Sequence, residues 1–225
     1  MRTAALVSGG LDSCVMLREL ALQGTALPVY VRTGLQWESA EIHWLKRFLA
    51  SSELARCEPL TILDLPVSDL YGDHWSITGQ GVPGFDAALE SNYLPGRNLL
   101  LLSKVAVFCA LRGADRIAMA PLSDNPFPDG TTDFFRAFVT AATIGLAHPL
   151  RIDVPFRDLT KREVVLRGND LPLELTFSCV QPHGLMHCGR CTKCAERQQG
   201  FAAAGVLDPT EYQTPRASPV ANGSA

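Results

Sequence analysis

Two clusters in this 225-residue chain have residue types and spacings suited to chemistry. The first is Ser8-Gly9-Gly10-Leu11-Asp12-Ser13, flanked by Val7 and Cys14. The apolar run before it predicts a strand, and the periodic apolar residues after it predict a helix. Such a turn suits a phosphate. Glycines let the backbone approach closely, hydroxyls and N–H groups donate, and a helix N-terminus favours negative charge. No G-x-x-x-x-G-K-[ST] occurs in the chain, so this is not a Walker loop. An ordinary turn capped by Asp12 or Ser13 is the plain alternative. Asp12 has two readings, a Mg²⁺ contact and a helix cap, and both can hold together.

The second cluster is Cys179-x8-Cys188-x2-Cys191-x2-Cys194. Four thiolates satisfy tetrahedral Zn²⁺ at about 2.3 Å each, and a closed ligand set is structural. The run from Cys188 to Cys194 also shares the start of the ferredoxin pattern C-x2-C-x2-C-x3-C-P. Its fourth position is Gln198 here, with no proline after it, which favours zinc over iron–sulfur. His183 and His187 offer a Cys3His alternative, but with four thiols at hand they read as solvated loop residues. Cys14, Cys57 and Cys109 lie singly and read as small buried hydrophobes, Cys14 and Cys109 in apolar surroundings.

Three cations complete the candidates. Arg97 is either a surface cation after a turn or a ligand for phosphate or carboxylate, which its planar fork suits. Lys161 is either a solvated helix start or a pyrophosphate-binding charge, and Arg197 reads as structural. Gly79-x-Gly81-x-x-Gly84 satisfies the dinucleotide pattern. No strand precedes it, Pro83 interrupts it, and Lys104 stands where an acid is required. It reads as a flexible loop, with a lid over the site as a further reading.

The elements that must position these residues alternate. Strands are expected at residues 3–7, 27–31, 59–65, 116–120 and 152–156, with helices at 12–23, 38–50, 98–112, 131–145 and 161–167. That order implies an α/β fold with a doubly wound parallel sheet, whose ligand site forms at the C-terminal strand ends. Residues 66–96, rich in Gly, Pro and Asp, form an excursion. The expected organisation is an α/β domain carrying the phosphate loop over 1–175, a zinc-binding appendage over 176–205 and a mobile tail over 206–225.

Composition closes off several classes. With 47% hydrophobic and 19% charged residues the chain builds a sizeable core. A net charge of -3 argues against nucleic acid or a membrane surface as partner. No apolar run is long enough to span a bilayer, and the first residues lack a leader's apolar region, so a cytoplasmic location is expected.

Ser8 to Ser13 resembles the PP-loop of ATP pyrophosphatases, SGGxDS. Taken with the cysteines, the chain resembles the 7-cyano-7-deazaguanine synthase family from residue 3 to about residue 201. Leu94-Pro95-Gly96-Arg97-Asn98 is close to the family's VPGRN. Ala40-Glu41-Ile42, Leu159-Thr160-Lys161 and the stretch from Thr176-Phe177-Ser178-Cys179 to Arg197 follow it as well. Two segments depart from it. Arg32-Thr33-Gly34-Leu35-Gln36 stands where the family has Asp-Tyr-Gly-Gln, and Gly130-Thr131 follows Phe127-Pro128-Asp129 where it has Cys-Arg. Both leave strand ends, so both are expected to face an acceptor.

The resemblance implies a ligase that uses ATP, with Mg²⁺, and ammonia to turn a deazapurine carboxylate, 7-carboxy-7-deazaguanine, into its nitrile. ATP contacts are expected from Val7, Ser8, Gly9, Gly10, Leu11, Asp12, Ser13 and Cys14. Catalytic roles are expected for Asp12, Arg97 and Lys161, with one structural zinc per protomer. Asp129 is the candidate substrate contact, a carboxylate able to accept two N–H bonds from a guanine-like edge. A turn-forming Asp before Gly130 is its alternative. A homodimer is compatible with this reading. The rivals are another adenylating PP-loop enzyme, such as a tRNA thiolation enzyme, and a non-catalytic nucleotide-binding module.

Overall fold

The computed structural model describes residues 2–51, 54 and 56–214. Its centre is a five-stranded parallel sheet in the order β3-β2-β1-β4-β5. The strands are β1 (Arg2–Leu6), β2 (Thr25–Arg32), β3 (Thr61–Asp64), β4 (Arg116–Ala118) and β5 (Arg151–Asp153). The helices are α1 (Leu11–Gln23), α2 (Glu38–Ser51), the single turns α3 (Ser68–Tyr71) and α4 (Trp75–Thr78), α5 (Arg97–Arg112), α6 (Thr132–Leu146), α7 (Lys161–Arg167) and α8 (Thr192–Ala204). The order reverses between β1 and β4. The crevice at their C-terminal ends is where such sheets bind ligands.

Alternation along β1 builds both faces of the core. Ala5 joins Val15, Leu17, Phe48, Phe156 and Phe201 on one face, and Ala4 joins Leu102, Val105, Ile117 and Phe135 on the other. Alanine at both positions lets helices approach a fully buried central strand. Pro28, inside β2, costs no ladder bond. Its ring nitrogen falls in the gap on the β3 side between the isolated Ala26–Cys57 bridge and the ladder that begins at Val29 with Thr61.

The cysteine-bearing segment over residues 176–205 packs closely on the sheet body. Phe201 packs into the main core, and the Phe177 N–H donates to the Gly9 carbonyl at 2.7 Å. A 13-residue helix, α8, also runs through this segment, where none was expected. Of the tail, residues 206–214 are held in place. Tyr212 donates to Asp208, the Gln213 N–H donates to the His187 carbonyl, and Thr210 accepts from Arg197. Residues 215–225 lie outside the described residues. No helix among the described residues is long and apolar enough to cross a membrane.

Candidate functional site

The turn between β1 and α1 folds on its own side chains. Ser13 Oγ donates to the Gly10 carbonyl at 3.0 Å and accepts from the Ser8 N–H at 3.3 Å, and the Gly10 N–H donates to Ser8 Oγ at 3.3 Å. Gly9 has φ +79, and a Cβ there would lie 2.9 Å from the Glu41 carbonyl of α2, so only glycine fits. No side chain caps α1, whose preceding residue is Gly10. Its first-turn N–H groups therefore receive no bond from the capping residue's side chain.

A cavity of about 260 Å³ opens at the switch point. Val7, Ser8, Gly10, Asp12 and Ser13 line it from the loop, and Met119, Ala120 and Pro121 from the end of β4. A second cavity of about 190 Å³ adjoins it, shared by Leu11, Asp12, Lys161, Lys193 and Glu196. Gly9 and Cys14 line neither. Cys14 is fully buried in the core, and burial pushes its thiol well above the usual range.

Lys161 is not solvated at its helix start. Its Nζ lies 2.5 Å from Asp12 Oδ2 and 2.6 Å from Glu196 Oε1. Burial works against its charge, yet the two carboxylates hold its pKa above the ordinary value. Gly200 makes this placement feasible, because a Cβ there would collide with the Lys161 stem. Burial likewise opposes ionised Glu196, but Lys161 and Lys193 hold its carboxyl well below the usual range. Asp12 Oδ1 is buried without a hydrogen-bond partner, as is Arg97 Nε. Both belong to residues that border the two cavities, where a cation and an anion respectively would satisfy them.

Across the cavity, Glu41 is buried beside Arg97. Tyr30 Oη donates to its Oε2 at 2.6 Å, and burial pushes its carboxyl up to about 8 despite Arg97. Two aromatic pairs form the far walls, Trp37 on Trp75 with centroids 5.7 Å apart and Tyr93 on Phe127 at 5.6 Å. Asp129 is buried and lines this wall, and its carboxylate accepts from the Asn98 N–H at 2.9 Å. It therefore caps α5 across the chain, a third role beside the two expected of it.

Residues 32–36 do not line the cavity. Arg32 pairs outward with Asp64, Leu35 is buried near the cysteines, and Gln36 Nε2 donates to the Val180 carbonyl. Glu38 ties the turn by accepting from Thr33 and Gly34, and Trp37 and Glu41 reach the cavity in its place. The Gly79-to-Gly84 stretch lies in turns. Gly79 ends α4, and Gly84 pairs with Cys191.

Cys179, Cys188, Cys191 and Cys194 are all buried, and their Sγ atoms lie within 4.8 Å of one another. The Cys179–Cys191 and Cys188–Cys194 separations are both 3.9 Å. A tetrahedron with 2.3 Å bonds has edges of about 3.8 Å, so the set fits one zinc ion rather than a multi-iron cluster. N–H groups of Gln181, Cys188 and Arg190 already donate to these sulfurs. His187 is buried rather than solvated. Its Nε2 accepts from the Ser178 N–H at 3.1 Å, and burial pushes its pKa down to about 3, so a neutral ring serves as a strut. Arg197 is buried and donates to Thr176, Leu173 and Thr210.

Lys193, Glu196 and the aromatic walls were missed from sequence. The signal for the first two was a Lys and a Glu at i, i+3 on either side of the last cysteine.

A family model described as "Queuosine biosynthesis protein QueC" matches residues 2–205. A 7-cyano-7-deazaguanine synthase from Methanothrix thermoacetophila is 33% identical, covering 94% of this chain and 99% of that protein. One from Azoarcus sp. is 32% identical over 94% of this chain and 97% of that protein. Among solved structures, one described as a "predicted subunit of tRNA methyltransferase" from Methanocaldococcus jannaschii superposes with TM-score 0.49 and 13% identity, covering 75% of this chain and 74% of that one.

Proposed function

The chain belongs to the QueC family of queuosine biosynthesis proteins, and on that premise we propose that it is an ATP-dependent ligase converting 7-carboxy-7-deazaguanine and ammonia into 7-cyano-7-deazaguanine. The observation that carries the reading is one cavity bordered by the Ser8–Ser13 loop and by the aromatic and Asp129 wall. Nucleotide phosphates and a planar acceptor would meet there.

In this mechanism a carboxylate oxygen of the acceptor attacks the α-phosphorus of ATP, and pyrophosphate leaves. Ammonia then adds to the acyl carbon, AMP departs, and a proton is lost, giving the amide. The amide oxygen attacks a second ATP in the same way. Loss of AMP and of the remaining N–H protons gives the nitrile. The chemical need is a leaving group, because carboxylate and amide oxygens leave poorly and adenylate leaves well.

The chain's own contribution is positioning and charge. Ser8, Ser13 and the first N–H groups of α1 receive the departing pyrophosphate. Arg97, with its unpartnered Nε, faces phosphate or carboxylate oxygens. Lys161 sits where charge builds on the bridging oxygen. Mg²⁺ with ATP would neutralise phosphate charge, and Asp12 is the carboxylate suited to face it. The zinc set stiffens the wall built from residues 176–205.

Acceptor carboxylate labelled with ¹⁸O tests the adenylated intermediate. One label should move into each AMP released, two for every acid carried through to the nitrile. Label-free AMP from a reaction that still yields amide would refute it.

A further inference from the structure

Lys193 and Glu196 stand one turn apart at the start of α8, whose N-cap is Cys191. Lys193 borders the central cavity, the smaller cavity behind it and a third beneath the 121–127 loop. Its Nζ lies 2.6 Å from Glu196 Oε2, while the other oxygen of that carboxylate holds Lys161 Nζ at 2.6 Å. Lys161 also meets Asp12 at 2.5 Å. Four charges therefore alternate in a line that ends on the phosphate loop.

The sum of those charges matters. Asp12, Lys161 and Glu196 together carry one net negative charge, which would repel a triphosphate arriving beside them. Lys193 cancels it. The compensation is weakly screened, because the side chains of Lys161 and Glu196 are 13% and 17% exposed. Lys193 is 35% exposed, and its flexible stem can carry the ammonium from Glu196 to an anion in the cavity. Lys161, gripped by two carboxylates, stays in place. An isolated i, i+3 pair on a solvated helix face would do none of this.

We propose that Lys193 is a phosphate-binding residue of the nucleotide site, and that Glu196 is the positioning residue aiming Lys193 and Lys161 at it. The proposal rests on the adenylation reading above. It also couples the two ends of the molecule's chemistry, since the cysteine set fixes the first turn of α8 and so the origin of both side chains.

The test is calorimetric binding of Mg·ATP to the zinc-loaded full chain and its variants. A lost charge-assisted bond should weaken binding by about tenfold in Lys193→Ala, and Lys193→Arg should stay within about threefold of wild type. Zinc content and melting temperature should be unchanged in both. Glu196→Gln should lower kcat for AMP release, counted per folded zinc-loaded site, by about tenfold while KM for ATP moves less than about threefold; lost folding would lower apparent kcat only in proportion to the folded fraction seen by melting and zinc content. Lys193→Ala binding Mg·ATP as tightly as wild type overturns the inference alone. Wild-type protein with no affinity for Mg·ATP overturns the adenylation reading as well.

Discussion

Asp12 concentrates the residue-scale reading, with one oxygen on Lys161 and the other buried without a partner. Asp12→Ala and Ser13→Ala should each cut AMP release by about a hundredfold or more, with circular dichroism and melting near wild type. Glu41 gives a pH signature. Its folded pKa of about 8 lies above the 4.5 of an ordinary glutamate, so across that window the folded state keeps a proton that the unfolded chain has lost. The stability this group contributes is present below about pH 4.5 and is lost as pH rises towards 8. Burial is the cause, opposed by Arg97 and Tyr30 and assisted by Glu38. Glu41→Gln has no such proton to lose. In urea unfolding at a series of pH values, its stability relative to wild type should rise between pH 5 and pH 8, and a constant difference would count against a proton held on Glu41. The turn over residues 8–13 between β1 and α1 and the cysteine cluster were legible in sequence because each is a local pattern. The lysine–carboxylate line was not, because Asp12 and Lys161 lie 149 residues apart and meet only through tertiary packing.

The element scale turns on how α7 and α8 cross. Thr160 and Glu163 form a capping box that starts α7 at Lys161, and Gly200 lets the Lys161 stem lie against α8. Gly200→Ala favours helix by intrinsic propensity, yet it should push that stem aside. Overpacking of this kind costs about 1–3 kcal/mol. Thermal melting should fall accordingly, and AMP release should fall more steeply than the loss of folded protein explains. The strands and most helices were legible because apolar runs and 3.6-residue periods survive in a single segment. Helix α8 was hidden because Cys191, Cys194 and Arg197 occupy its inner face. Its apolar signal is left mainly to Ala195 and Phe201. Residues 32–36 misled for a related reason. Strand ends do point at the crevice, but Glu38 curls this turn back, so Trp37 and Glu41 reach the cavity instead.

For the whole molecule, the cysteine set and the aromatic side of the cavity form one structure. Thr192 beside Cys191 donates to Asn92 at 2.6 Å, its N–H donates to the Pro83 carbonyl, and Gly84 pairs with Cys191. Removing zinc should therefore loosen residues 83–94 as well as 176–205. Structural zinc carries about 10–16 kcal/mol of apparent binding free energy in small peptides, so hydrogen exchange after chelation should rise in both stretches. A rise confined to 176–205 would show that the wall stands without the metal. Composition and element order had pointed to one parallel α/β body. They could not show that the cysteine segment is part of it, because that depends on contacts such as Phe177 to Gly9 and Phe201 in the core. The most direct measurement incubates the purified, zinc-loaded protein with Mg·ATP, ammonium and 7-carboxy-7-deazaguanine and follows the products by mass spectrometry. The expected result is amide and then nitrile, with one AMP and one pyrophosphate released for each of the two steps. ADP with phosphate, or AMP released while the 7-carboxy compound is left unconverted, would contradict it.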